Sequence, residues 1–129
     1  MDDFESSRVF RIWDWSISHS RLLLRSPRDE RNPTDVNIDM TFFGVTYVEI
    51  PDTLRGVKVA SPREEDDQRL RGRADLGKNG QYFVLESAGR RYYVGAVQLE
   101  VTENRLATMQ SSLWRPSAEA PGGTADPTG

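Results

Sequence analysis

His19 is the only histidine among 129 residues, and it stands between Ser18 and Ser20. A histidine beside a hydroxyl suggests acyl transfer, in which the imidazole takes the proton of a nucleophile. Neighbouring residues of a strand point to opposite faces, so neither hydroxyl is expected to reach the ring. There is no G-x-S-x-G elbow, and one histidine without any cysteine does not make the common zinc sites. His19 is therefore expected to be a turn residue or a partner contact. A second stretch, "GRADLGKN", spaces Gly72, Gly77 and Lys78 as a phosphate-binding loop does. Asn79 replaces the hydroxyl that would hold magnesium, Asp75 places a negative charge inside the cradle, and a strand pattern follows where a helix N-terminus is needed. It reads as a glycine-rich loop. The consecutive carboxylates Glu64 to Asp67 would radiate around a helix without converging on one cation. Asp39 and Glu49 would be a glycosidase pair only across a cleft, and they read as surface carboxylates.

Composition narrows the classes further. The formal net charge of −3, with 17 basic and 20 acidic residues, gives no global field for nucleic acid or an anionic membrane. Arg21, Arg25, Arg28 and Arg31, close in sequence to Trp13 and Trp15, make the best local case for nucleic acid. Asp29, Glu30 and Asp35 interrupt that stripe, so nucleic acid is not the expected partner. The absence of cysteine fits a reducing compartment, and "MDDFESSRVFR" is acidic where a secretory leader would be basic. No apolar run is long enough to cross a bilayer. A cytoplasmic protein is expected, and 15 arginines against 2 lysines suggest a GC-rich bacterial genome.

The elements that must position these residues are mostly strands. Trp13, Trp15 and Ile17 are spaced by two, while Phe10 and Ile12 have the opposite parity, which predicts a bulge near Ile12 or a strand buried on both faces. A tight turn is expected at 18–20, then a strand through Leu22 and Leu24, then a charged loop at 26–35. Val36, Ile38, Met40 and Phe42 alternate with Asn37, Asp39 and Thr41, predicting a strand with one core face and one wet face. Strands follow at "VTYVEI" and, after a turn at "DTLRG", at "GVKVA". Ser61 as N-cap, Pro62 at the first helical position and Glu64 as the third predict a short helix that buries little. "QYFVLES" and "RRYYVGAVQLEV" form a hairpin through Ala88 and Gly89. Leu106, Met109, Leu113 and Trp114 predict a C-terminal amphipathic helix. Residues 116–129, rich in proline and glycine, are expected to be disordered, leaving one β-rich domain over 1–115.

About seven antiparallel strands followed by a helix that carries a tryptophan resemble, in outline, a pleckstrin-homology-like barrel. A two-layer β-sandwich with a packed helix suits the same pattern, and the resemblance implies only a binding scaffold. The function expected is non-catalytic protein binding, as an immunity- or antitoxin-like binder or an accessory subunit, without cofactor or metal. Trp13, Trp15, His19, Arg21, Arg25, Arg28, Arg31 and Tyr92 are the candidate contact residues, because aromatic and arginine side chains dominate interface energetics. The alternative is a small-molecule-binding barrel or barrel enzyme with the tryptophans and tyrosines around a cavity and His19 at its mouth.

Overall fold

In a computed structural model, residues 4–73 and 75–114 are described. The chain is mainly β. Its strands are β1 (Glu5–Ser16), β2 (Arg21–Ser26), β3 (Asn37–Phe43), β4 (Tyr47–Glu49), β5 (Thr53–Ala60), β6 (Gln81–Ser87), β7 (Arg90–Ala96) and β8 (Gln98–Asn104). One helix, α1 (Glu64–Leu70), joins β5 to β6. All pairings are antiparallel, in one open sheet of order β4-β7-β6-β5-β1-β2-β3-β8.

The two ends of that order are joined through the chain. Only residues 44–46 separate β3 from β4, and only Val97 separates β7 from β8. At this corner the Val97 amide donates to the Phe43 carbonyl at 2.8 Å and the Thr46 amide to the Gly95 carbonyl at 2.8 Å. Gly44 turns there with φ 67°, a conformation that glycine enters without steric cost. The sheet therefore coils around one apolar interior. Phe42 of β3 meets Phe83 of β6 edge to face at 5.8 Å, although these strands are not neighbours in the sheet. Phe10, Leu22, Leu24, Met40, Leu54, Leu85 and Val94 complete the centre of this cluster.

The predicted bulge is present: the register of β1 against β2 shifts between Ile12 and Asp14. It separates residues that strict alternation would align. Trp13 turns outward, donating through Nε1 to the Thr108 carbonyl at 2.9 Å, whereas Trp15 stands opposite the core residue Leu22. The expected turn lies between β1 and β2, and the hairpin turns at Ala88 and Gly89, both at positive φ.

Several expectations need correction. β5 begins at Thr53, inside the segment read as a turn, and the long last strand divides at Val97, so the strands number eight rather than about seven. The helix starts later than expected: Arg63 is its N-cap, without a side-chain acceptor, and Asp66 accepts from the Arg63 amide at 2.7 Å. The predicted C-terminal helix is not found: residues 105–111 are irregular, and a single 3-10 turn follows at Ser112–Trp114. The pleckstrin-homology-like outline thus lacks its closing helix among the described residues. The expected tail, 116–129, lies outside them.

The missing helix and the face predicted to be wet have one explanation. Asn37, Asp39 and Thr41 are buried, as are Leu23 and Arg25 on the same outer face of β2. Residues 105–113 lie across that face as a strap. Arg25 and Asp39, both with side chains 0% exposed, form a bidentate pair, Nε to Oδ1 at 2.7 Å and Nη2 to Oδ2 at 2.9 Å. Arg25 Nη1 donates to the carbonyls of Thr108 and Gln110, and Asp39 Oδ2 accepts from Asn104 Nδ2 and Ser112 Oγ. The Leu106 carbonyl accepts from Asn37 Nδ2 and Arg28 Nε. A helix through this segment would need these same carbonyls for its i+4 amides. Charged and indole donors from the sheet take them instead, because a buried guanidinium left unsatisfied costs more than one turn of helix gains.

Removing one partner of such a pair strands the other charge in the interior, which costs about 3–5 kcal/mol. Arg25→Ala is expected to lower the unfolding free energy by about that amount in urea titration. Arg31→Ala, at a side chain 92% exposed, should leave the urea midpoint unchanged.

Candidate functional site

The residues nominated from sequence fall into separate places. Trp13, Arg25 and Arg28 converge beneath the strap, where the Arg25 guanidinium lies 5.8 Å from the Trp13 ring. They hold the fold together. Arg31 is exposed and pairs with Asp29 in the charged loop. Tyr92 packs against the core cluster from β7, and its neighbour Tyr93, on the other face, belongs to the cluster around Leu70. At the β1–β2 end, Trp15 is 43% and Ile17 82% exposed, while the Arg21 guanidinium lies 5.3 Å from the Phe43 ring.

His19 sits in the turn between β1 and β2, as expected, but the adjacency reasoning fails there. Its Nδ1 is 3.0 Å from Ser18 Oγ and 3.2 Å from Ser16 Oγ. Opposite-face alternation holds in a strand; in this turn, with Ser20 at φ 54°, side chains fold back over one another. Both hydroxyls meet the same ring nitrogen on an exposed turn, so the contacts order the turn. Asp39, expected on the surface, is buried, and Glu49 is engaged by Arg69 and by the Tyr47 hydroxyl. No group of three or more metal-ligating side chains gathers among the described residues. The glycine loop forms turns, with Gly72 and Gly77 at positive φ, and leads into β6.

Helix α1 is bound to the sheet by one buried carboxylate. Leu70 enters an apolar cluster with Val84 and Tyr93, while Asp66 points down to β7. Asp66 accepts from Arg91 Nη2 at 2.6 Å, Arg91 Nε at 3.1 Å and the Tyr93 hydroxyl at 2.7 Å. The Arg91 hydrogen bonds, against the opposing effect of burial, hold its carboxyl well below the ordinary carboxylate range. Burial first, and then the hydrogen bond to Asp66, push the Tyr93 phenol up. Arg91 also pairs with Glu86, which lies 3.7 Å from Arg63. This lattice stiffens one wall of a groove.

The groove, about 480 Å³, is bounded by the start of β1, by β5 and by the β6–β7 hairpin. Arg55, Lys58, Arg63, Arg90 and Arg91 line it, against the acidic Glu5 and Glu86. Arg63 and Arg91 are held by Glu86 and Asp66, but Arg55, Lys58 and Arg90 form no ion pair among the described residues. Arg55 also borders a second groove of about 420 Å³ with Arg8, Arg11, Asp29 and Asp35. Local geometry puts the cations together. Leu54 and Val57 both reach the core, and Arg55 and Lys58 both stay exposed. Each pair is three residues apart, which strict strand alternation forbids. Between Ser6 and Val9, β1 sets Ser7 and Arg8 opposite Gly56 alone, and Gly56, at φ 78°, breaks the alternation of β5 at that point. Lys58 stands across the strands from Glu5 and Glu86, whereas Arg55 and Arg90 have no ion pair among the described residues, and guanidinium groups so placed suit carboxylates or phosphates, which they bind through paired N–H donors. The groove offers Ser6, Ser7 and Ser87 as hydroxyls, with no histidine or cysteine to activate them.

Sequence reasoning missed Arg55, Lys58 and Arg90. A signal was present in "LRGVKV", where a glycine between apolar residues three apart marks a bulge. The meeting of β5 with the hairpin is a long-range pairing that no local pattern carries. No protein-family model, curated protein or solved structure matches this chain.

The depressed Asp66 titration sets a pH dependence. The carboxylate contributes stability above the unfolded-state value of about 4, and this is lost as pH falls through the lower folded-state value. Asp66→Asn is expected to cost about 2 kcal/mol at pH 7 by chemical denaturation. The gap from wild type should narrow below about pH 4. A gap that stays constant into acid would contradict the assignment.

Proposed function

We propose that this chain is a non-catalytic protein-binding module, acting as an immunity- or antitoxin-like binder or as an accessory subunit of a complex. Its docking site is the groove between β5 and the β6–β7 hairpin. The observation that carries this is the set of exposed cations Arg55, Lys58 and Arg90, which form no ion pair among the described residues, beside the ion-paired Arg63 and Arg91, in a chain whose net charge is −3. An overall acidic protein that keeps three such cations side by side presents a local complement to acidic side chains of a partner. The coiled sheet serves as a small barrel-like scaffold for this edge. A cytoplasmic, bacterial setting belongs to the proposal, and among the described residues no helix is long and apolar enough to cross a membrane. The aromatic-cavity alternative gains no support from the ring positions. Phe, Leu and Val side chains fill the interior, Trp13 is turned outward, and Tyr47, Tyr82 and Tyr93 pack beneath α1.

Affinity capture from the native cells, comparing wild type with the Arg55→Glu, Lys58→Glu, Arg90→Glu triple variant, tests the site. A protein recovered at near-equal stoichiometry with wild type should fall at least tenfold with the variant, whose circular dichroism at the capture temperature stays that of wild type. Equal recovery by both chains would remove the groove from the account.

A further inference from the structure

We infer that the groove takes an extended acidic segment of the partner protein as an added strand along the exposed edge of β5. This deepens the protein-binding proposal and rests on it. β5 pairs with β1 from Thr53 to Lys58, but with β6 only from Lys58 to Ala60. Beyond Ser87 the hairpin turns away through Ala88 and Gly89, at φ 51° and 79°. Residues 53–57 are therefore left with no strand partner on the side away from β1 among the described residues. The contact there is the Ser87 hydroxyl, 3.4 Å from the Arg55 carbonyl. At about 3.3 Å per residue this edge offers roughly 15 Å, enough for four or five residues of an added strand. The groove provides the space, and Gly56 keeps its floor low: a Cβ there would meet only backbone atoms of β1, at 3.6 Å or more.

Charge selects the occupant. Exposed strand edges invite pairing with any chain, and proteins guard them with charged side chains. Here Arg55 and Lys58 project from the edge itself and Arg90 faces them from the hairpin. A second copy of β5 would bring the same cations into contact and be repelled, whereas a strand with alternating carboxylates would neutralise them. Main-chain hydrogen bonds to β5 would supply affinity, and the carboxylates on one face of the added strand would supply selectivity. No aromatic side chain lines the groove to stack on a base, so a protein segment fits better than nucleic acid.

The test uses a fluorescent peptide of three Thr-Glu repeats with blocked ends, and two isomers of it N-methylated at either all Thr or all Glu amides. The amides of alternate strand residues point to opposite edges, so methylation of one set should weaken binding at least tenfold and methylation of the other by less than threefold. The unmodified peptide should also slow amide exchange at residues 53–57, and raised salt or the triple charge-reversal variant should release it. Equal effects of the two methylations, whether both harmless or both disruptive, would overturn strand addition. So would no binding of the parent peptide, tighter binding of oligothymidylate at the same residues, or dimerisation of the chain through β5. Those failures would leave protein binding at the groove to be judged by the capture experiment, which does not depend on an extended conformation.

Discussion

The buried pair of Arg25 and Asp39 is the constraint from which the rest of this structure follows. Two opposite charges removed from water need hydrogen bonds beyond their own contact to offset desolvation, and the sheet supplies only part of them. The bidentate contact engages Nε and Nη2 of the guanidinium; Nη1 requires carbonyls, which the strap supplies at Thr108 and Gln110. Asn104, at the end of β8, and Ser112, near the end of the strap, complete Asp39. Chain that could have coiled as a helix is thereby held flat against β2 and β3. Among the described residues no buried side-chain nitrogen or oxygen lacks a partner, so the network is complete.

That arrangement also decides which surface is available. The strap covers the outer side of β2 and β3, and α1, held by Asp66 and Leu70, covers part of β6 and β7. Between them the start of β1 and the outer side of β5 around Arg55 and Lys58 are left to solvent, with the hairpin at their margin. The bulge at Gly56 keeps Leu54 and Val57 in the core and turns Arg55 and Lys58 outward. One glycine thus links packing to the electrostatics of the groove. The networks around Asp39 and Asp66 consume their cations internally, whereas Arg55, Lys58 and Arg90 of the groove form no ion pair among the described residues.

Local patterns revealed the strands well where a single face is buried. The bulge after Ile12, the turn at 18–20 and the hairpin at Ala88 and Gly89 were legible because parity breaks and turn residues are local properties. Thr53–Gly56 was misread as a turn because a glycine inside a strand looks like punctuation until its partner strand is known. The outer face of β3 was misread because Asn37, Asp39 and Thr41 are polar, and polarity alone does not distinguish a solvated side chain from one satisfied inside a network. The helix expected through Leu106, Met109 and Leu113 failed for the same reason: its periodicity was real, but side chains some 70–85 residues distant claim its carbonyls. The arginines chosen for their proximity to tryptophan proved to be structural at Arg25 and Arg28, while the cations that line the groove meet only through the pairing of β5 with β6.

The most direct measurement is hydrogen exchange of the Arg25 Nε–H in the intact protein, followed by nitrogen-15 NMR with Arg31 as the exposed reference. A guanidinium enclosed by Asp39, the Trp13 ring and the strap should exchange at least a hundredfold more slowly than Arg31. Exchange of Arg25 at the rate of Arg31 would mean that the pair is open to water and that the strap does not close over the outer side of β2 and β3.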